Sequence, residues 1–222
     1  MTTKTRNLVL GAILLLAGVM DASAASRVFI VHGVPGVPVD VYASVAGAPI
    51  PTSATIAGFQ PKQVVAVTAP AGQFDTRIYG AGANPQTASP VIQVLGATIP
   101  DNVELSIVAH LDGSGTLTAS VYQNDTGAVA PGQARVSVRH TAAAPAVALT
   151  AGGIPKLALT NPLSGDLEVP AGRAVPLQLV VPFTTTAITP QVSLTFASGT
   201  RYFVYAIGSV AQRTFDFIVH VA

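Results

Sequence analysis

The chain reads as all-β, two tandem immunoglobulin-like or transthyretin-like β-sandwich domains behind a cleaved export signal. Three observations predict this. Apolar and polar residues alternate with period two through most of the chain after Met20, as strands with one buried face require. The 20 glycines and 17 prolines fall at short intervals, and no window beyond Met20 offers an amphipathic helix. An opening phrase also recurs about a hundred residues on, the size of a domain rather than of a solenoid repeat. It is Arg27-Val-Phe-Ile-Val-His32 with Pro38-Val-Asp-Val-Tyr42, then Arg135-Val-Ser-Val-Arg-His140 with Pro145-Ala-Val-Ala-Leu149.

The elements follow in order. Lys4 and Arg6 precede an apolar run from Leu8 to Met20, and Ala22-Ser-Ala24 supplies the small residues a signal peptidase reads. That run is shorter than the ~20 residues needed to span a bilayer as a helix. Residues 1–24 are thus a cleaved signal peptide without a lipidated cysteine, and no stable membrane insertion is expected afterwards. The first repeat occupies 25–128. In Gln73-Phe-Asp-Thr-Arg-Ile-Tyr79, Phe74, Thr76 and Ile78 face one way, Asp75 and Arg77 the other, and Glu104 to His110 alternates likewise. Turns are marked by Asp112-Gly-Ser-Gly115, Asn124-Asp-Thr-Gly127, Ala151-Gly-Gly153 and Ser198-Gly199. A linker falls over Asn124 to Gln133, and the second repeat occupies 129–222. Pro-Ala-Gly recurs before a strand at Pro70 and at Pro170. Pro176 predicts an edge strand over Arg173 to Val181, because proline cannot donate to a ladder. Thr214 to Val221 closes the chain as a strand, and about seven strands per half are expected, as in a sandwich.

One asymmetry concerns the two opening strands. In the second, the row opposite the core is Arg135, Ser137 and Arg139; in the first it is Arg27, Phe29 and Val31, apolar past its start. Phe29 and Val31 therefore need a cover, either the other repeat or a second subunit.

Half the chain is hydrophobic and 9% is charged. Of 11 basic residues, Lys4 and Arg6 lie in the signal, and of 10 acidic residues, Asp21 does, which leaves nine of each. No basic stripe exists to neutralise phosphates, which argues against nucleic acid as a partner. Near-zero net charge makes self-association easier. Cysteine is absent, so packing alone holds the domains, as suits a bacterial envelope or secreted protein.

The opening phrase resembles a bacterial exported family, that of domain of unknown function 4397. The shared elements are His32, the turn with Pro35 and Pro38, Val39-Asp40-Val41-Tyr42, Pro70 to Gly72, and Gly199-Thr-Arg-Tyr-Phe-Val-Tyr-Ala206. Gly36 stands where the family commonly has Asp, and in the second copy Ala148 and Thr150 replace the motif Asp and Tyr. The resemblance implies a tandem β-sandwich envelope or secreted module with no established activity.

The candidate ligand-binding residues are Asp40, Tyr42 and His32. Asp40 lies in an apolar run, where it either faces solvent opposite Val39 and Val41 or holds a loop through backbone N–H groups. Tyr42 shares its face. His32 and His140 end equivalent rows and serve either as ligands or as rings packed at a rim against turn backbone. No catalytic set is visible: Gly-x-Ser-x-Gly is missing, and Ser114 sits in a hairpin turn. Gly80-Ala-Gly-Ala-Asn-Pro85 lacks the Lys and helix of a phosphate loop, and no His or Asp series suits a metal. No cofactor is expected. The expectation is a non-catalytic exported module, periplasmic or extracellular, binding a surface protein or polymer. The alternatives are a self-assembling structural protein and a hydrolase using a carboxylate or His site, with Glu104 and Glu168 its only glutamates.

Overall fold

The computed structural model describes residues 25–222, so the signal predicted over 1–24 lies outside the described residues. The first eight strands are β1 (Ser26–His32), β2 (Val39–Val45), β3 (Ile56–Phe59), β4 (Val64–Ala69), β5 (Gly72–Gly80), β6 (Ile92–Ile99), β7 (Glu104–Leu111) and β8 (Leu117–Gln123). The next eight are β9 (Gln133–His140), β10 (Val147–Ala151), β11 (Ile154–Leu159), β12 (Ser164–Pro170), β13 (Ala174–Val180), β14 (Val192–Thr195), β15 (Arg201–Ile207) and β16 (Asp216–Val221). Among the described residues, no helix is long and apolar enough to cross a membrane.

These strands form four four-stranded sheets, ordered β4-β1-β7-β8, β3-β2-β5-β6, β12-β9-β15-β16 and β11-β10-β13-β14. The last two repeat the order of the first two, eight strands on. Each opening strand lies between an antiparallel and a parallel neighbour: β1 pairs with β4 and β7, β9 with β12 and β15. The parallel registers match too, Arg27 standing opposite Glu104 and Arg135 opposite Arg201.

Period-two alternation sets the layers. Val28 and Leu105 point into the first sandwich, where they meet Val67, Phe74 and Ile99. Val136, Val138, Leu149, Val169 and Leu179 do the same in the second. The other rows of the β1 and β9 sheets meet each other. Val31 and Val108 pack with Phe203, Tyr205, Ile207 and Ile218 as one buried cluster. The Phe29 ring lies 6.1 Å from Phe203 and 4.3 Å from His220. The second half of the chain is therefore what covers Phe29 and Val31, and the four sheets stack as four layers.

Two expectations change. Each half has eight strands rather than about seven. The strand holding Pro176 is interior, with β10 on one side and β14 on the other. Proline is tolerated because it sits where β10 ends: its carbonyl accepts from Gly152 N at 2.8 Å in the β10–β11 turn, so the missing donor falls beyond the ladder.

Truncating Phe29 removes a ring from between two sheets. Phe29→Ala should cost about 3 kcal/mol, whereas Phe183→Ala, whose side chain is 102% exposed, should stay within about 0.5 kcal/mol. Urea denaturation of both variants reads the difference.

Candidate binding site

Asp40 is 8% exposed although it projects from the outer face of its sheet. Its Oδ1 accepts from Gly58 N at 2.7 Å and its Oδ2 from Gly82 N at 2.8 Å. Both glycines have positive φ, +58° and +79°, a backbone shape that suits glycine and turns each amide toward the carboxylate. One side chain thus ties β3 and the β5–β6 loop to β2. Tyr42 and Tyr79 meet edge to face at 5.5 Å on the same face. Two loops fold over them: Tyr79 donates to Pro85 O at 3.4 Å and Gln86 Nε2 to Ile50 O at 3.4 Å. Asp75 repeats the Asp40 pattern, accepting from Gly96 N at 2.9 Å and Gly47 N at 3.2 Å. Those amides, helped by Arg77, hold its carboxyl below the usual range.

His32 points the other way, into the sandwich. Its ring lies 5.4 Å from Phe59, and Nε2 lies 3.3 Å from Val37 O. Burial lowers its pKa. His140 ends its own row in the same manner, Nε2 being 2.9 Å from Pro145 O. The fold therefore keeps His32 and Asp40 on opposite faces of different sheets, and brings Asp40 and Tyr42 together on one.

Between the halves lies a polar cluster that sequence reasoning did not assemble. Arg139 is 2% exposed. Its guanidinium donates to Tyr205 Oη at 2.8 Å and to Asn124 Oδ1, and lies over the rings of Tyr122, Phe203 and Tyr205. Asn124 Nδ2 donates to Glu104 Oε1 at 3.1 Å, and Arg201 holds both Glu104 oxygens at 2.7 and 3.2 Å. Tyr205 donates to Ser106 Oγ at 3.1 Å. Burial first, then Arg27, with Arg139 and Arg201 behind them, pushes His220 down to about 4; Glu104 opposes the shift. The signal for this cluster was the unequal opposite rows of the two opening strands.

A groove of about 370 Å³ opens at the other end of the second sandwich from His140. The β10–β11 turn, Lys156 of β11, Leu167 to Pro170 of β12 and Arg173 to Pro176 enclose it. Val169 and Val175, both core residues, form its floor. The first sandwich instead encloses an apolar cavity of about 50 Å³, walled in part by Ala43, Ala97, Ala109 and Ala119. Among the described residues, no three His, Asp or Glu side chains gather as a metal site would need.

The fold and these sites define a double β-sandwich protein whose buried polar groups join loops and layers. Residues 26–150 match the family described as Domain of unknown function (DUF4397), more than half of the chain, and the chain belongs to that family. The match covers the first eight strands and runs on through β9 into β10. No curated protein matches the chain. Among solved structures, it is similar to a candidate cell adhesion protein from Bacteroides uniformis at 11% identity, covering 90% of this chain and 97% of that one, with a TM-score of 0.26.

Asp40→Ala removes two charge-assisted hydrogen bonds that tie exposed glycine amides to a buried carboxylate and should destabilise the first sandwich by about 2 kcal/mol in urea denaturation, with Tyr42→Phe within about 1 kcal/mol. Acid should weaken the joint. His220 keeps its neutral form in the fold, so below the unfolded value of 6.5 the unfolded chain takes up a proton that the folded chain refuses until about pH 4. This contribution is whole above 6.5 and is lost as pH falls toward 4, by about 2 kcal/mol for a partly exposed ring. His220→Phe should flatten that part of the stability–pH curve.

Proposed function

We propose that the chain is an exported, non-catalytic module of two DUF4397-type sandwiches that binds an envelope or extracellular partner or polymer. The second unit, over 129–222, follows the first in strand order and parallel register. Export rests on Lys4, Arg6 and the apolar run from Leu8 to Met20. The observation that carries the non-catalytic part of this reading is the use made of the buried carboxylates. Asp40 and Asp75 are bound by backbone amides, and Glu104 by Arg201 and Asn124. A carboxylate so held supports the fold and is not poised to move a proton. Glu168, the other glutamate, pairs with Arg135 at 3.2 Å. Asp40 and Tyr42 then serve the reading as the support of a surface, and His32 as a rim residue.

A second reading, self-assembly, is favoured by β16. This edge strand has no Lys, Pro or Gly, and Val219 and Val221 are each 54% exposed. The discriminating experiment passes residues 25–222 over separated envelope fractions and secreted polysaccharide from the source cell. Retention on one fraction supports the binding module. Recovery as oligomers with retention on none moves the conclusion to self-assembly, and a monodisperse monomer in light scattering removes that alternative.

A further inference from the structure

We infer that the groove of the second sandwich is the ligand site, and that its ligand is a carboxylated polysaccharide held by Lys156 and Arg173. The inference rests on the binding-module reading and supplies its ligand class.

The groove stands apart from the rest of the surface in its charge. Nine basic residues follow the signal. Arg27, Lys62, Arg77, Arg135 and Arg201 pair with carboxylates, and Arg139 is enclosed by Tyr205, Asn124 and three rings. Lys156, Arg173 and Arg213 have no carboxylate partner among the described residues, and the first two line the same groove. Both are exposed. The one carboxylate in the lining, Glu168, is engaged by Arg135. The groove therefore presents two cations against one neutralised anion, in a mature chain of zero net charge. The first sandwich has no counterpart: Gln73 follows its Pro-Ala-Gly where Arg173 follows the second, and β3 carries no charged residue.

The walls narrow the ligand. Leu167 and the rings of Pro170 and Pro176 offer C–H surface on which the apolar face of a sugar ring can lie. An acidic peptide seated as an added strand needs backbone donors, and the three strands around the groove each carry a proline: Pro155 in β11, Pro170 in β12 and Pro176 in β13. Two cations also fall short of the stripe that a phosphate polymer wants. Carboxylates set at intervals along a sugar chain fit: arginine forks one and lysine meets another as a point charge.

The test is affinity electrophoresis of residues 25–222 in gels holding polygalacturonate, dextran or poly-aspartate, with K156Q/R173Q as the variant and Arg213→Gln as the control. Polygalacturonate should retard the wild type and the control alike, dextran should not, and the double variant should bind at least tenfold more weakly with an unchanged Tm. Undiminished binding by the double variant, absence of binding to polygalacturonate, or equal binding to poly-aspartate overturns the assignment. The envelope-fraction experiment run with both proteins separates the two conclusions. Equal retention of wild type and double variant removes the groove and leaves the binding module, whereas retention of neither removes both.

Discussion

The joint between the two halves is built around a guanidinium with no carboxylate touching it. Burying an unpaired charge is costly, and Arg139 sits 2% exposed between two β-sheets. The cost is offset by directional contacts: the Tyr205 hydroxyl and the Asn124 amide oxygen in the plane, and three aromatic rings about it. Asn124 is in turn oriented by Glu104, and Glu104 by Arg201. Two flat apolar sheets could slide across each other by a residue pair at little cost. A buried cation cannot, because any other register leaves it without acceptors. Around this fixed point the Phe29, Phe203 and His220 rings close the rest of the contact.

The joint is asymmetric at equivalent positions of the two halves. Glu104 opposes Arg27 in β7, and Arg201 opposes Arg135 in β15, so the two partners of this ion pair hold equivalent positions in the two halves. The same correspondence relates Ser106 to Phe203, Val108 to Tyr205 and Val31 to Arg139. Identical halves facing each other would set like charge against like charge at Glu104. Opposite charges there favour pairing of a first half with a second half, which is a discrimination between partners rather than a gain in area. One flank of the joint is aromatic and apolar, the other polar, and a single chain holds both.

Much of this was legible, and the limits have physical causes. Alternation and turn residues gave the all-β class, because a strand's faces are written at period two. The apolar row of Phe29 and Val31 demanded a cover, and the cover is there. Arg139 was legible as one member of a polar row, but its burial depends on what faces that row, which no local pattern carries. Asp40 was ambiguous for the same reason. Its alternation says outer face, yet loops 46–55 and 81–91 fold back over that face and bury it, and loop packing has no period. The groove was hidden by distance along the chain, since Lys156 stands on β11 and Arg173 in the turn between β12 and β13. The comparison of Gln73 with Arg173 after the shared Pro-Ala-Gly was the available sign.

The two halves divide stability and display between them. In the first, Asp40 and Asp75 each tie one strand amide and one loop amide, Gly58 with Gly82 and Gly96 with Gly47, and the loops close over their sheet. In the second, Ala148 and Thr150 replace Asp40 and Tyr42, so no carboxylate of that kind draws its loops down. Along its β14–β16 edge Val192, Val219 and Val221 are exposed, as Leu95, Leu117 and Val121 are along the β6–β8 edge of the first. The uncommitted Lys156 and Arg173 lie toward the opposite edge of the second sandwich, in the groove beside β11 and β12. Its β9 and β15 strands are held against the first sandwich through Arg139 and Arg201. The joint thus fixes the face of the second sandwich that carries β9 and β15, while the groove lies between that sandwich's own two sheets beside β11 and β12.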